Sequence, residues 1–226
     1  MTTQTFTPLV PPFLLAPPGV YRPQYDTRLL AQALRREDMG SGTQVLELGT
    51  GSGALALEAA RRGARVTAVD ISRRAVLTAR LNALMARAHV TVRHGDLTAA
   101  VAGRSYDLVI SNPPYVPSPD ARPPRKGAAR AWDAGHDGRT LVDRICDAAP
   151  AVLRPTGVLL VVHSGLCGVD ATLDRLTGAG MTPVVTDRAM VPFGPVLRSR
   201  LPWLRRTGLV RDEVEEELVV IRAEHA

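Results

Sequence analysis

The amino-acid sequence predicts a single α/β/α sandwich around a seven-stranded, mostly parallel sheet with an antiparallel last strand. Two observations carry that expectation. From Gln44 onward short apolar runs alternate with stretches of helical periodicity, and repeated strand-then-helix units make a parallel sheet covered on both faces. The first apolar run also ends in Gly49, Gly51 and Gly53, the residue type a strand needs to turn tightly into a helix beside a ligand. The 226 residues suit one mid-sized domain with a full core.

Residues 1–25 are rich in proline and read as an N-terminal arm lying extended on the domain, which itself is expected over 26–226. Asp26 is placed to cap a helix carrying Leu29, Leu30, Ala33 and Leu34 on one side. Strands are expected at 45–48, 65–69, 90–93, 108–111 and 158–163, with helices near 53–62, 73–87 and 138–153. Two more strands, 184–185 and 217–222, complete the sheet. Between them a basic insert, 191–214, carries Arg198, Arg200, Arg205, Arg206 and Arg211. A loop that long in a compact domain is usually functional or disordered.

Composition narrows the function classes. With 45% hydrophobic and 22% charged residues the chain is of the ordinary globular kind. No run approaches the ~20 apolar residues of a membrane-spanning helix. The apolar stretch 9–20 is interrupted by Pro11, Pro12, Pro17 and Pro18 and follows no basic residue. It makes a poor signal peptide, so a cytoplasmic protein is expected. Cys146 and Cys167 form neither a disulfide framework nor a recognisable metal site, and no metal is assigned. The net charge of +6 leaves room for an acidic or nucleic-acid partner. Yet every basic residue except Lys126 is an arginine, a skew that reads more as codon bias from a GC-rich genome than as a binding patch.

Four motifs carry chemistry. The run Val45-Leu46-Glu47-Leu48-Gly49-Thr50-Gly51-Ser52-Gly53 closes a strand and opens a helix. Alone it is equally a simple turn or a dinucleotide site. Asp70 ends the next strand, where a carboxylate can accept both hydroxyls of a ribose, or merely cap a helix. His94-Gly95-Asp96-Leu97 follows the third strand; Asp96 can accept from an exocyclic adenine amine or act as an N-cap, and His94 is given no catalytic role. The decisive motif is Ser111-Asn112-Pro113-Pro114-Tyr115 after the fourth strand. Two prolines fix the backbone and remove two N–H donors. The Asn112 side-chain oxygen and the Pro113 carbonyl then point outward as a pair of acceptors suited to a planar NH2 group, with Tyr115 as an apolar wall or stacking face.

With these residues the chain resembles the Rossmann-like methyltransferases that carry an Asn-Pro-Pro-Tyr motif, over roughly residues 20 to 190. Within that group it is most similar to the short HemK2-like protein-glutamine N5-methyltransferases. Two further stretches support this: Val20-Tyr21-Arg22-Pro23-Gln24-Tyr25-Asp26-Thr27-Arg28-Leu29-Leu30, and Trp132-Asp133-Ala134-Gly135-His136-Asp137-Gly138-Arg139. Tyr25 stands where that family usually has an acidic residue, and Ala134 replaces a glycine. The resemblance implies S-adenosyl-L-methionine as cofactor, held by Glu47, Gly49, Thr50, Gly51, Gly53, Asp70, Ile71, Asp96, Leu97 and Asn112. It implies Asn112, Pro113 and Tyr115 as catalytic residues, with Tyr21, Pro114 and Trp132 completing the acceptor side.

The expected reaction is N-methylation of a planar nitrogen, with a glutamine side chain of a release factor as the family-implied acceptor. A small zinc-binding activator subunit is an implied partner. An exocyclic base amine in RNA or DNA is the alternative acceptor, which the basic insert would favour. A small molecule such as a secondary metabolite is another, with the insert closing over it. A non-catalytic binding module on the same fold is opposed by the intact glycines, Asp70 and Asn112.

Overall fold

A computed structural model describes residues 14–225; Pro11 and Pro12 of the proline-rich arm lie outside the described residues. In chain order the elements are α1 (Tyr25–Arg36), β1 (Gln44–Leu48), α2 (Ala54–Arg61), β2 (Arg65–Asp70), α3 (Arg73–Met85), β3 (Val90–His94) and β4 (Tyr106–Ser111). Then come α4 (Thr140–Ala148), β5 (Leu153–Ser164), α5 (Val169–Gly178), β6 (Met181–Pro192), α6 (Pro195–Arg206) and β7 (Glu215–His225). The sheet runs β3-β2-β1-β4-β5-β7-β6. The pairs β1–β2, β1–β4, β2–β3 and β4–β5 are parallel, and β7 is antiparallel to both its neighbours.

Central strands of such a sheet are covered on both faces, so they must be apolar throughout rather than alternating. Val45, Leu46 and Leu48 of β1 and Leu108, Val109 and Ile110 of β4 are accordingly buried. Helix α1 brings Leu29, Leu30 and Leu34 into the same core and packs on β5, β6 and β7. The strand order reverses between β1 and β4, and ligands of open α/β sheets bind beyond the strand ends at that switch point.

Several expectations need correction. Asp26 does not cap α1: Gln24 holds the cap position without a side-chain bond, and Asp26 is buried within the first turn. The helix expected over 138–153 is only Thr140–Ala148, because Pro150 cannot continue it and opens a short 3₁₀ turn. Strand β6 is far longer than the Val184–Val185 pair that looked strand-like. Its buried and exposed residues alternate while it pairs with β7 along its whole length, and Pro183 and Asp187 mask that alternation in the sequence.

The largest correction concerns the insert, which is no loop. Strand β6 runs into it, α6 fills its middle, and Phe193, Leu197, Leu204 and Val210 form a small core of their own. The described part of the arm, 14–24, lies on α3: the Asn82 side chain bonds both backbone groups of Leu15, and Arg74 donates to the Pro18 carbonyl.

Candidate active site

A cavity of about 700 Å³ opens at the switch point, with the glycine turn on one side and the Asn-Pro-Pro-Tyr segment on the other. The turn is pinned to β2, since the Gly49 and Thr50 amides both donate to the Val69 carbonyl at 2.9 and 3.0 Å. Gly49 has φ +73°, and a Cβ there would meet no protein atom while facing the cavity. A side chain would be strained and would also occupy the space a ligand needs. Asp70 accepts from the Gly51 amide at 2.9 Å and the Ser72 amide at 2.7 Å. Burial raises its carboxyl above the usual range, and these two bonds offset part of that. Each carboxylate oxygen accepts more than one bond, so capacity for hydroxyls remains.

The structure places the other cofactor-side residues unevenly. Ile71 is 41% exposed on the cavity wall, where it offers an apolar face to a ligand. Asp96 and Leu97 reach the same wall, but the Asp96 carboxylate already accepts from Arg144 at 2.8 Å, a partner invisible in the sequence. Glu47 lies beneath the turn, where the Thr50 hydroxyl and the Ala56 amide donate to it.

Burial pushes the Glu47 carboxyl up to about 8 from an ordinary 4.5. A group whose pKa rises on folding stabilises the fold fully below its unfolded pKa, and loses that contribution as pH climbs through the folded value. We therefore expect wild-type stability to decline between pH 4.5 and 8 relative to Glu47→Gln, which cannot ionise. Urea midpoints of both proteins at pH 5 and pH 8 check this; a difference between them that does not change with pH would refute it.

On the acceptor side, the Ser111 hydroxyl donates to the Leu48 carbonyl at 2.8 Å, locking the end of β4 to the end of β1. Asn112 Nδ2 donates to Thr27 Oγ1 at 3.2 Å, and the Thr27 hydroxyl and amide in turn donate to Asp26 Oδ1. The Tyr21 and Tyr115 hydroxyls donate to Asp26 Oδ2 at 2.7 and 3.0 Å. The first turn of α1 thus orients the Asn-Pro-Pro-Tyr loop. With Nδ2 committed to Thr27, Asn112 keeps its Oδ1 as the free acceptor. Tyr115 does more than supply a wall, since its hydroxyl anchors Asp26. Burial and the Asp26 charge hold both phenols well above their usual range, so neither is a proton acceptor near neutrality.

The segment after the motif is braced from behind. Val116 exchanges backbone bonds with Trp132 and Ala134 at 2.8 and 3.1 Å. Gly138 has φ +73°, and a Cβ there would lie 2.3 Å from the Tyr115 carbonyl oxygen, so only glycine fits. Trp132 stands half-buried on the cavity wall, and Pro113 and Pro114 line it too. Arg139 donates to the Cys167 and Gly168 carbonyls at 2.6 and 2.9 Å. Cys146 and Cys167 are buried, and burial pushes both thiols up, which makes them packing residues rather than nucleophiles.

The sequence offered the insert as part of the site only for a small-molecule acceptor, and named none of its residues there. Phe193, Gly194, Pro195, Val196 and Leu197 line the cavity. Arg200 ties α6 down: its guanidinium donates to the Pro117 carbonyl at 2.9 Å and lies 2.6 Å from Asp133, though not aligned there as a hydrogen bond. Arg205 donates to the Arg211 carbonyl. Asp26, Thr27, Arg144 and Glu216 were also missed as cavity residues. Asp26 was read only as a helix cap, Thr27 stood in a quoted stretch without a stated role, and Glu216 sits in an acidic run that distinguishes none of its members.

Comparisons with known proteins now bear on this geometry. A family model described as "Methyltransferase small domain" matches residues 14–123. A chain from Methanocaldococcus jannaschii, assigned as an N5-glutamine methyltransferase of proteins, is 33% identical over 78% of this chain and 88% of its own. The chain belongs to the protein-glutamine methyltransferases. The release factor glutamine methyltransferase of Rhodospirillum rubrum is 38% identical over 77% of this methyltransferase, which spans only 60% of that longer relative.

Two solved structures share the fold. One is Mtq2 of E. cuniculi, in a complex with Trm112 responsible for methylation of the eRF1 translation termination factor. It has a TM-score of 0.65 and 24% identity, with 92% of this chain and 99% of that one covered. The other is a T. thermophilus 16S rRNA N2 G1207 methyltransferase with AdoMet and guanosine, at a TM-score of 0.61 and 22% identity, covering 91% and 44%. That rRNA enzyme holds AdoMet, the cofactor the resemblance implies for this chain. The residues present fit it: a cradle at Gly49 that a Cβ would fill, an uncovered Ile71, and carboxylates at Asp70 and Asp96.

Proposed function

We propose that this methyltransferase acts on the side-chain amide nitrogen of a glutamine in a protein acceptor of the release-factor type. The observation that carries the reading is Asn112, which lines the cavity together with Pro113 and whose Nδ2 is held by Thr27, so that Oδ1 is left as the acceptor. When bound, the cofactor supplies an electrophilic methyl group on a sulfonium. Gly49, Thr50 and Gly51 would make room for its methionine part, Asp70 would accept from the ribose, and Ile71, Asp96 and Leu97 would face the adenine. Gly53 does not line the cavity, and a Cβ there would press on Ala79 of α3 at 3.2 Å, so its task is helix packing. Glu47 supports the turn from below.

An amide nitrogen is a weak nucleophile because its lone pair is delocalised. Asn112 Oδ1 and the Pro113 carbonyl accept its two N–H bonds and aim the lone pair at the methyl carbon. Positioning of this kind lowers a barrier by several kcal/mol, up to about 7–11 in the best intramolecular cases. Tyr21, Pro114, Tyr115 and Trp132 wall the acceptor and exclude water. No side chain need take a proton before transfer, since the N-methylated amide is acidic enough to lose it afterwards.

A small-molecule acceptor is the second reading, favoured by one observation: residues 193–197 of the insert close in on the same cavity. A nucleic-acid acceptor has less support, because Arg200 and Arg205 are spent on internal tethers. Transfer from labelled cofactor into a matched cell extract, split into protein, nucleic-acid and small-molecule fractions, separates the three. Label on a release-factor glutamine is the expected result. Label confined to another fraction would remove the glutamine reading.

A small partner subunit, the zinc-binding activator the resemblance implies, has a candidate face. Leu77, Leu81, Leu84 and Met85 form an exposed stripe along α3, beside the edge strand β3. Among the described residues no helix is long and apolar enough to cross a membrane, which fits work on a translation factor in the cytoplasm.

A further inference from the structure

Glu216, at the start of β7, is 8% exposed yet stands on the cavity wall, electrostatically coupled to Asp26, Tyr21 and Tyr115. The chemistry above leaves it without a task. The Ser164 hydroxyl is its hydrogen-bonding neighbour, but Oε2 is sealed from solvent and has no partner. An orphaned buried acceptor is destabilising, and more so when it carries charge. Native structures seldom keep one without a reason. The nearby donors are already spent: the Tyr21 and Tyr115 hydroxyls and both donors of Thr27 all serve Asp26.

We propose that Glu216 recognises the methyl acceptor, its Oε2 accepting a hydrogen bond from an N–H other than the nitrogen being methylated. The proposal deepens the protein-glutamine reading and rests on it: there, the donor is a main-chain N–H beside the glutamine, a group every peptide acceptor brings to this depth. Position favours this assignment. Tyr115, which follows the acceptor-binding pair by two residues, shares its buried surroundings with Glu216. The glycine turn follows β1, three strands away from β7 in the sheet. Burial pushes the Glu216 carboxyl up to about 7, so an arriving donor meets a group ready to ionise. Asp26, Tyr21, Tyr115 and the Cys167 thiol are the titratable groups around it.

The test uses Glu216→Met, which keeps length and removes the acceptor, and Glu216→Gln, which keeps an acceptor oxygen. Melting temperature, S-adenosylhomocysteine affinity and steady-state transfer are measured for both. The acceptor is the release factor if the wild type labels it, and otherwise the extract fraction the wild type does label, so the two readings fail separately. Glu216→Met should melt no lower than wild type, because an orphaned carboxyl is gone. Its acceptor KM should rise about tenfold or more, with kcat within about threefold and cofactor affinity unchanged, while Glu216→Gln recovers most of the loss. An unchanged acceptor KM in Glu216→Met would overturn the proposal. So would a raised KM accompanied by an equal loss of cofactor affinity, which would mark a merely structural role.

Discussion

Asn112→Ala should leave the protein folded and able to bind cofactor while methyl transfer falls by about 10²-fold or more. The structural cost is small because the Asn112–Thr27 bond is long, at 3.2 Å, and Thr27 keeps its bonds to Asp26 without it. The catalytic cost is large because one of the two acceptors that aim the substrate nitrogen is removed. A preorganised group of this kind is worth about 3 kcal/mol in other active sites. Single-turnover transfer with saturating cofactor, beside a thermal melt, is the measurement. Loss of stability with turnover of the folded fraction intact would reduce Asn112 to a turn residue.

The aspartate variant sharpens the same test. Asn112→Asp keeps size and an acceptor oxygen but adds a charge beside the sulfonium. It also sets a second carboxylate against Asp26 in competition for the single Thr27 hydroxyl proton. A neutral amide acceptor should therefore be methylated poorly by this variant. Wild-type-like turnover would point to an amine acceptor instead.

Asp70→Ala is expected to weaken binding of S-adenosylhomocysteine by about 1.5–3 kcal/mol, roughly ten- to more than a hundredfold. Two losses combine. The ribose hydroxyls lose their acceptor, and the Gly51 and Ser72 amides lose the carboxylate that tethers the turn to the end of β2. Asp70→Asn should lie between, since its single amide oxygen preserves only part of this set. Titration calorimetry separates the variants, and an unchanged dissociation constant in Asp70→Ala would remove Asp70 from the cofactor site.

The motifs that line the cavity were readable because each is local. A glycine at φ +73°, a carboxylate at a strand tip and a rigid proline pair depend on neighbours in sequence, so their residue types reveal them. The central strands were readable for a similar reason: burial on both faces demands an unbroken apolar run, as in β1 and β4. Strand β6 was not, because it lies at the sheet edge, one of its faces is solvated, and its pairing with β7 arises only when the two meet. Likewise the arginines of the insert look like a free basic patch in sequence. Only the fold shows Arg200 reaching the Pro117 carbonyl and Asp133.

By itself, then, the sequence determined a methyltransferase: the glycine turn, Asp70 and the Asn112–Pro113 pair, each legible within a few residues, are the groups it offers for setting a sulfonium cofactor against a planar nitrogen. Tertiary structure decided what aims and surrounds the acceptor. Tyr115 reaches Asp26 across 89 positions of chain and Asn112 reaches Thr27 across 85, while α6 and Glu216 arrive from still farther along. A side-chain hydrogen bond between such distant residues leaves no periodicity and needs no special backbone conformation. It is set by how α1 packs on β7 and on β5, the neighbour of β4 in the sheet, and that is settled only when the whole core closes.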